Sequence, residues 1–260
     1  MKIGIIGLGM VGKAIAHGFT RIGHDVISYD IKLPDTALAD VLLAELVFVC
    51  VPTPAKADGA CDVSIVEKVV GELAEAKYKG LVAIKSTVIP GTSQRLQEKH
   101  PTLRIAFCPE FLREKAAYTD FVENHDLCVI GVQGEDDYEL IKVAHGSLPQ
   151  NFANLSLTEA ELCKYFSNVF NAMKIIFANE FYDMSEKLGV NYQKIKEAMV
   201  KRKTIEDVYL DVNKNFRGFG GNCLPKDTAA FAALANQLGL TNTIFGHIVE
   251  VNKKFKTTVL

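Results

Sequence analysis

The decapeptide Gly218-Phe219-Gly220-Gly221-Asn222-Cys223-Leu224-Pro225-Lys226-Asp227 contains the residue types that covalent chemistry needs, closely spaced. Glycines let the backbone take positive φ and pass close to a ligand, and Pro225 suits a first helical turn, which has no use for the missing N–H. The spelling therefore predicts Cys223 at a helix mouth, where unpaired amides and the positive end of the dipole favour a thiolate. Lys226 adds a cation, and Asp227 a base or orienting group. A buried structural thiol in a glycine turn is the plainer alternative, and these neighbours weigh against it.

A second constellation opens the chain. The apolar run 2–6 leads into Gly7-Leu8-Gly9-Met10-Val11-Gly12, then a helical pattern through Ala14, Ile15, Phe19 and Ile22, then a strand at 26–29 that ends at Asp30. Strand, glycine turn, helix, strand and acid in that order make a dinucleotide site. The first glycine makes the turn, the second admits the pyrophosphate, the third packs helix on strand, and Asp30 accepts from the ribose hydroxyls. An acid at that point disfavours a 2′-phosphate, so NAD is expected over NADP.

The elements that must position these groups alternate. Strands are expected at 46–51, 81–85, 104–107 and 127–132, with helices at about 63–76 and 92–99, which calls for a Rossmann-type, doubly wound parallel sheet. Three loops at strand ends carry unusual side chains: 51–54, 86–92 and 108–114. Thr53, Ser86 and Thr92 read as turn and cap residues. Thr87, Glu110 and Glu114 should open toward the cofactor crevice. After a strand at 151–155, Thr158-Glu159-Ala160-Glu161 spells a capping box for a helix that meets no Gly or Pro until Gly189. Lys164, Asn168, Asn171 and Lys174 form one polar line along it among Leu162, Phe166, Val169 and Phe170. Shorter helices are expected at about 192–200, 225–238 and 242–258, with a polar arm at 201–217. The expected domains are an NAD-binding domain, 1–155, and an all-helical domain, 156–260, built on the long helix and carrying Cys223.

With 260 residues, 48% hydrophobic and 23% charged, the chain can bury a sizeable core. A net charge of -2 without a basic run argues against nucleic acid or a membrane surface as partner. No apolar run is long enough to span a bilayer, and the chain reads as cytoplasmic. Six cysteines without a C-x-x-C pair or a matching His cluster indicate neither zinc nor disulfides, and no metal is expected.

Taken together, the cysteine decapeptide, Pro109-Glu110-Phe111-Leu112-Arg113-Glu114 and Ser86-Thr87-Val88-Ile89-Pro90-Gly91-Thr92 resemble the nucleotide-sugar 6-dehydrogenases of the UDP-glucose/GDP-mannose dehydrogenase family, from residue 1 to the last helix. The resemblance implies two oxidations of a sugar's C6 alcohol by two NAD⁺, with a nucleotide-sugar substrate, UDP-glucose favoured. It makes Cys223 the nucleophile and Lys164 an oxyanion stabiliser. Asn168, Asp227 and Thr87 then position a hydroxyl or water, and Glu114 shares the proton chemistry. It places Glu110, Phe111, Leu112, Phe219, Gly220, Gly221 and Lys226 at the substrate, and Gly7, Gly9, Met10, Val11, Gly12, Asp30, Lys32, Thr53 and Thr87 at NAD. Family members continue into a further nucleotide-holding domain, which would begin where this chain stops. Arg202-Lys203-Thr204-Ile205 replaces the family's Arg-Ile-Gly, and the strand at 126–128 lacks an expected arginine.

The residue types suit such chemistry independently. A second oxidation at one carbon needs an adduct that again carries a transferable hydrogen, which a thiolate supplies. The alternatives are a β-hydroxyacid dehydrogenase-like reductase, which shares Lys164-x-x-x-Asn168 but needs no cysteine, and an NAD-binding fragment or partner subunit that binds no sugar. A stripe of Phe166, Phe170, Met173, Ile176, Phe177 and Phe181 predicts a homodimer through the helix at 158–188.

Overall fold

The structure, a computed structural model, describes residues 1–255. In chain order the elements are β1 (Lys2–Ile6), α1 (Met10–Arg21), β2 (Asp25–Tyr29), α2 (Leu38–Val41), β3 (Leu46–Val49), α3 (Ser64–Glu75), β4 (Leu81–Ile84), α4 (Thr92–Lys99) and β5 (Arg104–Phe107). There follow α5 (Ala117–Val122), β6 (Leu127–Gly131), α6 (Glu135–His145), β7 (Asn151–Leu155), α7 (Leu157–Leu188), α8 (Tyr192–Met199), α9 (Leu224–Gln237) and α10 (Ile244–Asn252). Residues 256–258 of the helix expected at 242–258 lie outside the described residues. Among the described residues no helix is long and apolar enough to cross a membrane.

The chain divides into two compact units, one of Met1–Pro54 with Asp62–Lys164, the other of Ala55–Cys61 with the residues from Tyr165 onward. The first unit is a seven-stranded sheet in the order β2-β1-β3-β4-β5-β6-β7. Strand residues alternate between two cores, as a sheet covered on both faces requires. Val47, Val49, Val82, Ile84, Ile105 and Phe107 pack with α3 and with Leu157 and Ala160 of α7. Leu46, Phe48, Leu81, Ala83 and Ala106 pack on the other side with Ile15 and Phe19 of α1, Phe121 of α5 and Ile141 of α6.

The sheet departs from the all-parallel expectation at one joint. β6 runs antiparallel to β5, with Phe107 opposite Gly131, and β7 then pairs parallel to β6. A parallel return needs a crossover spanning the sheet. The link from β5 to β6 instead contains the six-residue α5, about 9 Å long. It packs against α1, where a Cβ on Gly18 would collide with the Phe121 ring. The helices α2, α5 and α6 were not anticipated from periodicity.

In the second unit Ala172, Ile175 and Ile176 of α7 form a core with Phe219, Ile248 and Val251. Tyr165 stacks on Phe231, which meets Phe245 edge-on. Ile176 is thus buried, and Met173 packs against the same core, which removes both from the expected exposed stripe. The remaining aromatics of that stripe, Phe166, Phe170, Phe177 and Phe181, are exposed.

The capping box also sits elsewhere than expected. Ser156 caps α7: its N–H and hydroxyl both donate to Glu159 Oε2, at 2.9 and 2.6 Å. Glu161 is fully buried and caps a different helix, accepting from Gly91 N at 2.5 Å and Ser93 N at 2.7 Å at the start of α4.

The glycine turn after β1 is the tightest backbone approach in the first unit. Gly7 sits at φ 92°, its missing Cβ 2.6 Å from the Cys50 carbonyl oxygen, and a Cβ on Gly12 would fall inside the Gly7 carbonyl. Gly9 has nothing within 4 Å of such a position. Gly12→Ala should therefore cost at least about 2 kcal/mol in urea unfolding, because backbone cannot step aside. Gly9→Ala should cost under about 1 kcal/mol. Equal costs would show that the close approach is not the constraint.

Candidate active site

Of the residues expected at the cofactor, Gly7, Gly9, Met10, Val11, Gly12, Asp30 and Lys32 follow the carboxyl ends of β1 and β2. Gly9 is the N-cap of α1 and is exposed, with open space in front of it, so the first-turn amides face a cradle that a side chain would have filled. Met10 and Val11 lie in that turn, half-buried, while Lys32 is exposed. Asp30 closes the arrangement: Leu8 N donates to its Oδ2 at 2.7 Å and Lys32 N to its Oδ1 at 2.9 Å. The amides of Lys32 and Leu8 hold its carboxyl below the usual carboxylate range. Each oxygen keeps a second lone pair for a sugar hydroxyl. The open cradle and the fixed acceptor fit a dinucleotide.

At the ends of β3, β4 and β5 the loops are braced from beneath. Thr53 is buried and Thr87 half-buried. Ser86 donates to the Val51 carbonyl at 2.7 Å, and Glu161 holds the start of α4, so the loop bearing Thr87 is tied at both ends. Burial raises the Glu161 carboxyl, partly offset by those amides. Lys164, 4% exposed, donates to the Glu110 carbonyl at 2.6 Å and to Glu110 Oε1 at 3.1 Å, with its ammonium 5.6 Å from the centre of the Phe111 ring. Glu110 Oε2 accepts from Leu112 N at 2.6 Å. Lys164, Glu110, Phe111 and Leu112 are therefore brought together. Arg113 is bound to Asp120 at 2.6 Å, anchoring the loop on α5, and Glu114 starts an exposed 3₁₀ turn.

The second unit holds the cysteine decapeptide. Cys223 is the N-cap of the 14-residue α9, half-buried, with Pro225 in the first turn. Gly218 and Gly221 have positive φ and Gly220 does not. Asp227 is 1% exposed, yet its Oδ2 accepts from Asn168 Nδ2 at 2.6 Å. Lys226 Nζ lies 2.6 Å from its Oδ1, close enough to pair charge though out of line for a hydrogen bond. Cys223, Asn168, Lys226 and Asp227 thus share one neighbourhood. Phe219 does not present its ring: the side chain is in the core, and Asn252 grips its N–H and carbonyl at 2.8 and 2.9 Å. A large apolar residue between glycines reads equally as ligand contact or anchor, and here it is the anchor.

Several positioning residues gave no sign in the sequence. Asn179 Oδ1 accepts from Gly218 N at 3.1 Å and from Arg217 Nε at 2.7 Å, while the Arg217 guanidinium lies between the rings of Tyr182 and Phe255. These contacts hold the entry to the glycine turn. Cys108, Cys128 and His145, far apart in sequence, also meet inside the first unit.

Comparison with known proteins identifies the chain's relatives. Residues 34–147 match the model of the UDP-glucose/GDP-mannose dehydrogenase family, NAD binding domain, and residues 158–254 match the model of that family's central domain. A UDP-glucose 6-dehydrogenase of Rickettsia bellii is 34% identical over 81% of this chain and 49% of its own length. One from Haloferax volcanii is 30% identical over 97% of this chain and 69% of its own. The structure of a UDP-glucose dehydrogenase from Pyrobaculum islandicum superposes with a TM-score of 0.88 at 30% identity, over 97% of this chain and 68% of that one. A 3-hydroxyisobutyrate dehydrogenase from Mycobacterium tuberculosis, 16% identical, shares the fold at a TM-score of 0.79. The chain spans about half the length of the first curated relatives it matches.

A carboxyl held below its usual range lends stability above that range and loses it as pH falls through the lowered value. NAD⁺ affinity should accordingly stay constant from neutral pH down through the ordinary carboxylate range. Asp30→Ala should weaken NAD⁺ about 10-fold or more, the worth of a charged hydrogen bond, and narrow the preference over NADP⁺. Fluorescence titration of both nucleotides checks this, and equal binding of the two by the unaltered protein would refute the role given to Asp30.

Proposed function

The chain belongs to the UDP-glucose/GDP-mannose dehydrogenase family, and on that premise we propose that it performs the NAD-dependent oxidation of a nucleotide sugar at C6, UDP-glucose to UDP-glucuronate, in two steps at Cys223. The observation that carries the reading is Cys223 at the mouth of α9, beside a buried Asp227 tethered by Asn168 and paired with Lys226.

The roles are those that the family resemblance implies. Residues 1–155 hold NAD⁺, which supplies the hydride acceptor for each oxidation, and residues 156–260 carry the nucleophile. Asp227, oriented by Asn168, positions the C6 hydroxyl and later the hydrolytic water, a task that the resemblance also gives to Thr87. Glu114 relays the proton. The Cys223 thiolate adds to the aldehyde, giving a thiohemiacetal that still bears a hydrogen on carbon. Loss of that hydrogen leaves a thioester, which water cleaves to the carboxylate. Each tetrahedral stage bears an oxyanion. Lys164 and Asn168, one turn apart on α7, supply a cation and an amide for it, worth about 3 kcal/mol per donor. The resemblance assigns Glu110, Phe111 and Leu112 of the first unit, and Gly220, Gly221 and Lys226 of the second, to the sugar nucleotide. The exposed aromatics of α7 support a homodimer, with Phe166 75% and Phe177 55% exposed on a helix whose other face is buried.

Unaltered protein should yield two NADH per sugar in a spectrophotometric assay. Cys223→Ser should complete the first hydride transfer and then stall, either with an adduct on residue 223 visible by mass spectrometry or with lost stoichiometry. Full activity of Cys223→Ser, or release of a carbonyl product after one NADH from the unaltered protein, would replace this reading by the single-transfer β-hydroxyacid dehydrogenase one. Light scattering at micromolar concentration should return a dimer, and Phe166→Ser with Phe177→Ser should shift it toward monomer. A monomeric unaltered protein would remove the dimer.

A further inference from the structure

We propose that Cys108, Cys128 and His145 form a buried three-donor site for one zinc ion in the first unit, separate from the redox chemistry. The three come from different elements: Cys108 follows β5, Cys128 lies in β6 and His145 ends α6. Each is at most 1% exposed, and one ligand atom from each lies within 4.8 Å of the others. The two sulfurs are 3.8 Å apart. Two thiolates on a tetrahedral ion at about 2.3 Å subtend about 3.8 Å, so that spacing needs no rearrangement.

The imidazole supplies the observation that points to a ligand. His145 Nδ1 lies 2.8 Å from the Ile141 carbonyl oxygen, which can only accept, so Nδ1 carries the hydrogen. Nε2 then bears a lone pair, and it is buried with no neighbour to satisfy it but the Cys108 thiol. A zinc-ligating histidine usually donates its second ring N–H to a carbonyl in this way.

Lys85 is the obvious objection, since its ammonium sits 3.4 Å from Cys108 Sγ. It is held in place by the carbonyls of Cys108 at 3.0 Å and Pro109 at 3.4 Å. Zinc takes both sulfurs as thiolates, and two thiolates cancel the dication, so with the metal bound the net buried charge is that of Lys85. Its N–H toward the sulfur then becomes a donor to a metal-bound thiolate. Two sulfurs and one imidazole select a thiophilic ion over magnesium or calcium, and leave one tetrahedral position to a ligand from outside the set. The site ties down the starts of two loops, since Lys85 precedes Ser86-Thr87 and Cys108 precedes Pro109-Glu110.

The test is metal content, not activity. Protein made in zinc-supplemented medium and purified without chelator should carry close to one zinc per chain by plasma mass spectrometry. Refolding with Co²⁺ should give sulfur-to-cobalt charge-transfer bands and tetrahedral d–d bands. Cys108→Ser and Cys128→Ser should each lose the metal and the bands, while Cys163→Ser keeps both. The cobalt spectrum of the unaltered protein stands even where a serine variant fails to fold. Absence of both zinc and cobalt bands, a Cys108–Cys128 disulfide in the purified protein, or full metal content in both serine variants would each overturn the site.

Discussion

A charge taken out of water must find a partner or cost several kcal/mol, and that constraint organises the proposed chemistry in each unit. Lys164 is nearly fully buried, and the partner it finds is Glu110, through both carboxylate and carbonyl. The second oxygen of that carboxylate takes the Leu112 amide, so satisfying one ammonium also fixes the loop at 110–112. Asp227 meets the same demand with a neutral amide on one oxygen and a half-buried ammonium beside the other. The groups that would have to be reactive are thereby the groups that hold their surroundings in place. Truncating either partner leaves the other charge stranded.

The two units solve positioning by different means. In the first, side chains sit where strands end, and the ladder fixes their height to within a residue. In the second the described residues form no sheet, and buried asparagines take over: Asn168 on Asp227, Asn179 on Gly218, Asn252 on Phe219. An amide can donate and accept at once without burying a charge, which suits a glycine turn whose backbone has no ladder to join.

Much of this was legible in the sequence, and what was not shares a cause. The glycine turn, Asp30, the strands and the long helix follow from local spelling, because each is decided by residues a few positions apart. The antiparallel entry of β6 depends on how far the 108–126 segment reaches, and α6, with acidic residues crowding its first turn, shows a weak apolar stripe. Glu161 looked like half of a capping box because its spacing from Thr158 was right. Its burial against α4 is a tertiary fact that no spacing encodes. The meeting of Cys108, Cys128 and His145 is of the same kind, and so is the withdrawal of Phe219 and Ile176 into the core.

The strand order carries a further consequence for synthesis. β1 is made first, yet it lies between β2 and β3, and its residues Ile3, Ile5 and Ile6 end fully enclosed. Ribosomes add about 5–20 residues per second, so this apolar strand waits seconds for β3 to emerge, with both hydrogen-bonding edges open until its neighbours arrive. Until then β1 is exposed to mispairing with other chains, and a holding chaperone would have reason to cover it.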